Sequence, residues 1–143
     1  MQKLKTTLLI LLPALVVFPL GRVIWKDPVE AMMPSSAQLP FFILLSVFES
    51  LAFGIGIWFL VRGWELIAAA PGVSKRLACW TYASIAWSLV SWWPHDNLHR
   101  ANGMDTVGLL RIEYGFHVTL IIASTIIAFF FISILKTDRS GIQ

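Results

Sequence analysis

Four apolar runs of bilayer-spanning length constrain this chain more than any other feature. They cover residues 6–24, 40–61, 77–93 and 114–135. At about 1.5 Å rise per residue, each run wound as a helix crosses a hydrocarbon core about 30 Å thick, the third only barely. Hydrocarbon offers backbone groups no water, so spans of this kind satisfy their hydrogen bonds internally, as helices. Hydrophobic residues make up 57% of the 143 positions and charged residues 13%, where a soluble domain carries about 25% charged. The expected fold is an all-α integral membrane protein, a single domain over 1–143 with four transmembrane helices in an up-down bundle.

Composition also removes function classes. The basic residues sit in short flanks beside the apolar runs, a topology signal rather than a nucleic-acid-binding stripe. Cys79 is the only cysteine, so neither an internal disulfide nor a thiolate cluster is available. There is no P-loop, dinucleotide fingerprint, G-x-S-x-G or Cys-His pair, so hydrolase, kinase and nucleotide-driven transport readings lose support. C-x-x-C-H is absent as well, which rules out covalent c-type haem.

The first run follows Lys3 and Lys5 and could be read as a signal peptide. No A-x-A-like site follows it, and three further spans require an anchor, so a retained helix is expected, kinked at Pro13 and Pro19. A polar loop from Lys26 to Ser36 leads to Pro40, a good first-turn residue. Pro71-Gly72 marks a turn, Pro94 closes the third run, and Asn102-Gly103 reads as another turn. Trp92 and Trp93 are expected to anchor the third span at headgroup level.

An even number of spans puts both termini on one side. With that side inside, the inner flanks hold Lys3, Lys5, Arg62, Lys75, Arg76, Lys136 and Arg139, and the outer ones Arg22, Lys26, Arg100 and Arg111. The excess of inner cations places both termini in the cytoplasm. In size and span number the chain resembles small bacterial four-span proteins, which implies a bacterial inner membrane and a periplasmic face for the segment after the third span.

Spans associate through small and hydrogen-bonding residues, because apolar side chains gain little from one another in lipid. Thr81, Ser84, Ser88 and Ser91 recur at steps of three and four on the third span; Ser46, Ser50 and Gly54 form a small-xxx-small ridge on the second. These stripes are expected to point inward together, with Phe59 facing lipid. Glu49 lies deep in the second span. A carboxylate there costs at least about 2.5 kcal/mol unless protonated or partnered. It is either a hydrogen-bonded packing residue or a metal, proton or cofactor contact.

All three histidines cluster after the third span, in Trp92-Trp93-Pro94-His95-Asp96-Asn97-Leu98-His99-Arg100 and at His117. His95 and His99 share a face if the segment after Pro94 is helical, and Glu113 and His117 repeat the spacing. Imidazole and carboxylate together suit zinc, copper or iron. The candidate metal ligands are therefore His95, His99, Glu113, His117, Asp96 and Glu49. Asp96 has the alternative role of orienting a histidine, and Glu49 is the deep member. His95 and His117 could equally hold a haem or a chlorophyll-type pigment. The expected protein is a small membrane subunit of a larger complex or homo-oligomer, not an enzyme by itself, that binds a metal ion or metal-containing cofactor at its outer face. The alternatives are a purely structural accessory subunit that packs on partner helices, and a proton- or cation-conducting protein using Glu49.

Overall fold

The computed structural model describes residues 2–26, 34–103 and 105–140. The loop expected between the first two runs falls largely on residues 27–33, and the end of the tail on 141–143, both outside the described residues. The described residues are all helical apart from turns: α1 (Gln2–Ile24), α2 (Leu39–Ala68), α3 (Lys75–Val90), α4 (Trp92–Asn102), α5 (Thr106–Ile112), a π-helical turn (Glu113–Val118) and α6 (Thr119–Ser140). Three stretches are long and apolar enough to cross a membrane: Lys3–Ile24, Leu39–Ala68 and Thr106–Thr137.

The third apolar run behaves differently from the expectation. α3 has 16 residues, a length of about 24 Å, short of the hydrocarbon thickness. Pro94 does not close it. The helix breaks at Ser91, and Pro94 stands in the first turn of α4, where the missing N–H would have had no helical partner. The His95 amide donates to the Ser91 carbonyl at 3.0 Å, so α4 continues the chain immediately beyond the break. Gly103, at φ 54°, ends α4 in a left-handed conformation, and Asp105 caps α5 by accepting from the Val107 amide at 3.1 Å.

The helices pack as a row. α1 lies on α2, α2 on α3 and α3 on α6, while α4 covers one end and touches α1, α2, α3 and α5. α2 is accordingly two-sided, and its small residues do not all serve one inward face. A Cβ on Gly54 would run into the Ile10 carbonyl of α1, and one on Gly56 would press on Val90 and Leu89 of α3. Both neighbours come almost to backbone contact at these positions.

Phe59 corrects another expectation. It is buried, at 7% exposure, in a core with Ile67, Ala78, Ala86 and Phe130. Its ring stacks on Tyr82 at 5.4 Å, and the Tyr82 hydroxyl donates to the Leu60 carbonyl at 2.5 Å. Gly63 makes room for that ring, since a Cβ there would meet it. The polar stripe is buried at Thr81 and Ser84 on α3 and at Ser91 in the break beyond it. Most other apolar side chains of the long helices, such as Leu15, Phe41 and Ile121, stay exposed.

Candidate metal centre

Wound as a helix, the histidine segment presents two faces. Trp93, Asp96, Asn97 and Arg100 recur at steps of three, one and three, and turn toward α1 and α2. Trp92, His95 and His99 turn the other way, toward the start of the last long helix.

The first face fixes α4 in place. Trp93 is buried, donates Nε1–H to the Val17 carbonyl at 3.0 Å, and meets the rings of Trp25 and Phe53 edge-on at 5.2 and 5.3 Å. It is a packing residue between helices, and only Trp92 stays exposed as the headgroup expectation requires. Arg100 donates to the Asn97 side-chain oxygen at 2.7 Å and approaches the carbonyls of Gly21 and Trp25 at 3.4 Å each. Its charge thus sits at the C-terminal end of α1, where carbonyl dipoles favour a cation.

The second face carries the histidines. His95 Nε2 lies 3.1 Å from His117 Nε2 and 3.1 Å from His99 Nε2. The ligand nitrogens of all three lie within 4.8 Å of one another. Phe116 and Trp92 flank His95 at ring separations of 5.3 and 6.1 Å, and Phe116 stacks on Trp87 at 5.7 Å. The Trp87 Nε1–H donates to Thr119 Oγ1 at 3.0 Å, which ties α3 to the first turn of α6.

Glu113 and His117 belong to the π-helical turn. Such turns are rare and concentrate at functional sites, because the extra residue re-aims the side chains around it. Here the Glu113 carboxylate bonds His117 Nδ1, while its other oxygen stands 3.8 Å from His99 Nε2. The carboxylate can only accept, so His117 carries its proton on Nδ1 and points the lone pair of Nε2 at His95. A carboxylate behind an imidazole is the usual outer support of a metal-bound histidine.

The hydrogen-bond inventory then fails to close among the rings alone. A neutral His95 has at Nε2 either one proton or one lone pair, yet two imidazole nitrogens face it at the same distance. A shared cation resolves the conflict. Donor nitrogens about 2.0–2.1 Å from a tetrahedral metal stand about 3.3 Å from one another, close to the two 3.1 Å separations. Burial, followed by the neighbouring His99 and His117, pushes the His95 imidazole below its ordinary value, against the opposing pull of Asp96 and Glu113. Both effects favour the neutral ring, the form that can coordinate a metal. His95, His99 and His117 can hold a metal ion.

The other two sequence candidates lie elsewhere. Glu49, 6% exposed on α2, meets the Asp96 carboxyl on the opposite face of α4. Both line a cavity of about 280 Å³ with Arg22, Ser46, Ser50 and Arg100, under α1 and α2. The structure thus gathers His95, His99, His117 and Glu113 into one cluster and places Asp96 and Glu49 in another. Sequence spacing paired Glu113 with His117 but gave no sign of the π-turn, nor of the wall formed by Phe116 and Trp92.

Comparison of the chain with protein-family models, with curated proteins and with solved structures finds no match.

Proposed function

We propose that this protein is a membrane subunit that binds one transition-metal ion through His95, His99 and His117, with Glu113 orienting His117. The observation that carries the reading is the convergence of three imidazole Nε2 atoms beside an Nδ1 held by a carboxylate. Neutral imidazoles favour zinc, copper or iron over the hard oxygen-seeking cations. Three protein ligands leave a coordination position for an outside group, which in zinc proteins distinguishes reactive centres from structural ones. A crossing by the short α3 as well as by the three longer helices would put the excess of basic flanks inside and this end of the helices outside the cytoplasm. The many exposed apolar residues of α1, α2 and α6 support burial against lipid and partner helices in a larger assembly.

Metal content of the chain purified in a lipid nanodisc tests the reading, beside His95→Ala and His117→Ala. Wild type should carry about one metal per chain and each variant should lose most of it. Wild type that neither retains nor takes up zinc, copper or iron would leave the cluster a hydrogen-bonded cap. The accessory-subunit reading, which those same exposed apolar faces favour, would then stand in its place.

A further inference from the structure

His117 belongs to a second feature besides the cluster. It forms the upper end of an open groove of about 730 Å³ between α3 and α6, whose walls include Ser88, Trp92, Ile121, Ser124 and Ala128. That volume falls within the range of small-molecule sites, about 300–1,000 Å³. The groove descends α6 from His117 to Ala128, eleven residues, or about 16 Å along the helix. This is half the hydrocarbon thickness of about 30 Å, the depth of a single leaflet. A partner helix would need contact along the full span, whereas one lipid chain from a single leaflet needs only this length.

Its lining is apolar where it matters. Thr125, on the same wall, turns its hydroxyl back to the Ile121 carbonyl at 2.9 Å, so it presents a methyl group instead of a donor. Small residues at Ser88, Ser124 and Ala128 leave room for a chain against the helix backbones. At the top, a divalent metal held by the three imidazoles, with the single Glu113 carboxylate behind them, would leave a net positive centre. The groove is therefore mostly apolar, with the Ser88 and Ser124 hydroxyls on its walls, and would close on a positive end once the metal is bound.

We propose that the groove binds a single-chain lipid carboxylate, with its hydrocarbon tail between α3 and α6 and its carboxylate on the metal held by His95, His99 and His117. This rests on the metal-binding reading above and names the class of ligand that completes that site. The net charge selects an anionic head, and the one-leaflet length selects a single chain lying parallel to the helices.

The test uses the full chain in a phosphatidylcholine nanodisc loaded with cobalt(II), whose visible absorption reports its ligands. Dodecanoate should change the spectrum at a concentration about 100-fold lower than acetate, since only the former buries a chain. Ser124→Trp, which fills the groove below the metal, should raise the dodecanoate concentration required by at least about tenfold. It should leave cobalt binding and the acetate response as they were. Phe129→Trp, on an exposed part of α6 outside the groove lining, controls for partition of dodecanoate into the bilayer and should change nothing. An unchanged dodecanoate response in Ser124→Trp overturns the proposal. So does a change in particle size with that variant alone, which would give the groove to a second copy or a partner helix. A wild type that binds no cobalt fails the metal reading instead, and the two failures are thereby distinguished.

Discussion

The Glu113 carboxylate holds His117 by Nδ1 inside one π-helical turn, and the opposite ring nitrogen of His117 faces His95 Nε2 at 3.1 Å. One contact therefore fixes the tautomer, the ring orientation and the direction of the lone pair. Residues four apart share a face in an ordinary α-helix, and within this wider turn Glu113 and His117 still meet while His117 faces α4. The turn is the local distortion that lets the last helix deliver a ligand to a site built mostly on α4.

Glu113→Gln tests that support. The amide can still accept from Nδ1–H but no longer brings a negative charge behind the imidazole. Metal affinity should fall about 10- to 100-fold, the usual effect of losing an outer partner, while His117→Ala should cost more. Competition titration with a zinc chelator measures both. A Glu113→Gln affinity equal to wild type would remove Glu113 from the centre.

Acid should release the metal. Protons and metal compete for the same lone pairs, so affinity should be level above about pH 6.5 and fall below it. The metal-free protein should respond in the same direction. The His95 value is lowered by folding, so its contribution to stability is present above the unfolded value, about 6.5, and is lost as pH falls toward the folded value. Melting of metal-free protein between pH 7.5 and 5 checks the sign, and His95→Gln should flatten the decline. Stability that rises on acidification would contradict a half-buried His95 held as the neutral ring.

How much of this was legible in the sequence depends on which force decides each position. The apolar runs could be read from composition because the solvent alone dictates them, and Lys3–Ile24, Leu39–Ala68 and Thr106–Thr137 follow that rule. The histidine grouping was legible because four-residue spacing survives any helix. The break at Ser91 was not, because a proline suits the residue after a helix and the first turn of the next one alike, and here Pro94 takes the second place. The fate of Phe59 and Trp93 was hidden for a similar reason. An aromatic ring suits lipid, headgroups and protein core alike, and here the lack of a side chain at Gly63 draws Phe59 inward. The division of the acidic candidates follows from one residue of helical phase: His95 and Asp96 are neighbours in the chain but about 100° apart around α4.

Gly54 gives a test of packing. A methyl group there meets the Ile10 carbonyl, a backbone atom that cannot rotate away. Gly54→Ala should destabilise the α1–α2 contact by about 1–3 kcal/mol, and Gly54→Leu should prevent assembly of the monodisperse protein. Thermal melting in detergent and elution on a sizing column read these effects. A Gly54→Leu protein that melts as wild type would mean α1 does not pack there.

Thr81 gives the opposite sign. Its side-chain oxygen is fully buried on α3 and has no hydrogen-bond partner among the described residues. Thr81→Val keeps the shape and removes the unpaired group. The variant should melt higher than wild type, by the equivalent of about 1–3 kcal/mol. A lower melting temperature would reveal a bond that the hydroxyl makes in the assembled protein.

The two polar clusters on α4 should separate in function as they do in space. Glu49 reaches Asp96 on the α2 side, and the metal candidates lie on the α6 side, with the backbone of α4 between them. Glu49→Gln removes the carboxyl group from the cavity and leaves an amide of the same size beside Asp96. Metal affinity should then stay within about threefold of wild type, because one charge at that distance acts only through a screened field. His99→Ala, four residues along the same helix from His95, should lower affinity well beyond that. Zinc titration of both variants in nanodiscs decides between a three-histidine centre and one that extends inward. If Glu49→Gln loses as much metal as His99→Ala, the deep carboxyl is part of the centre and α4 must turn in the metal-bound state to bring Asp96 and Glu49 to it.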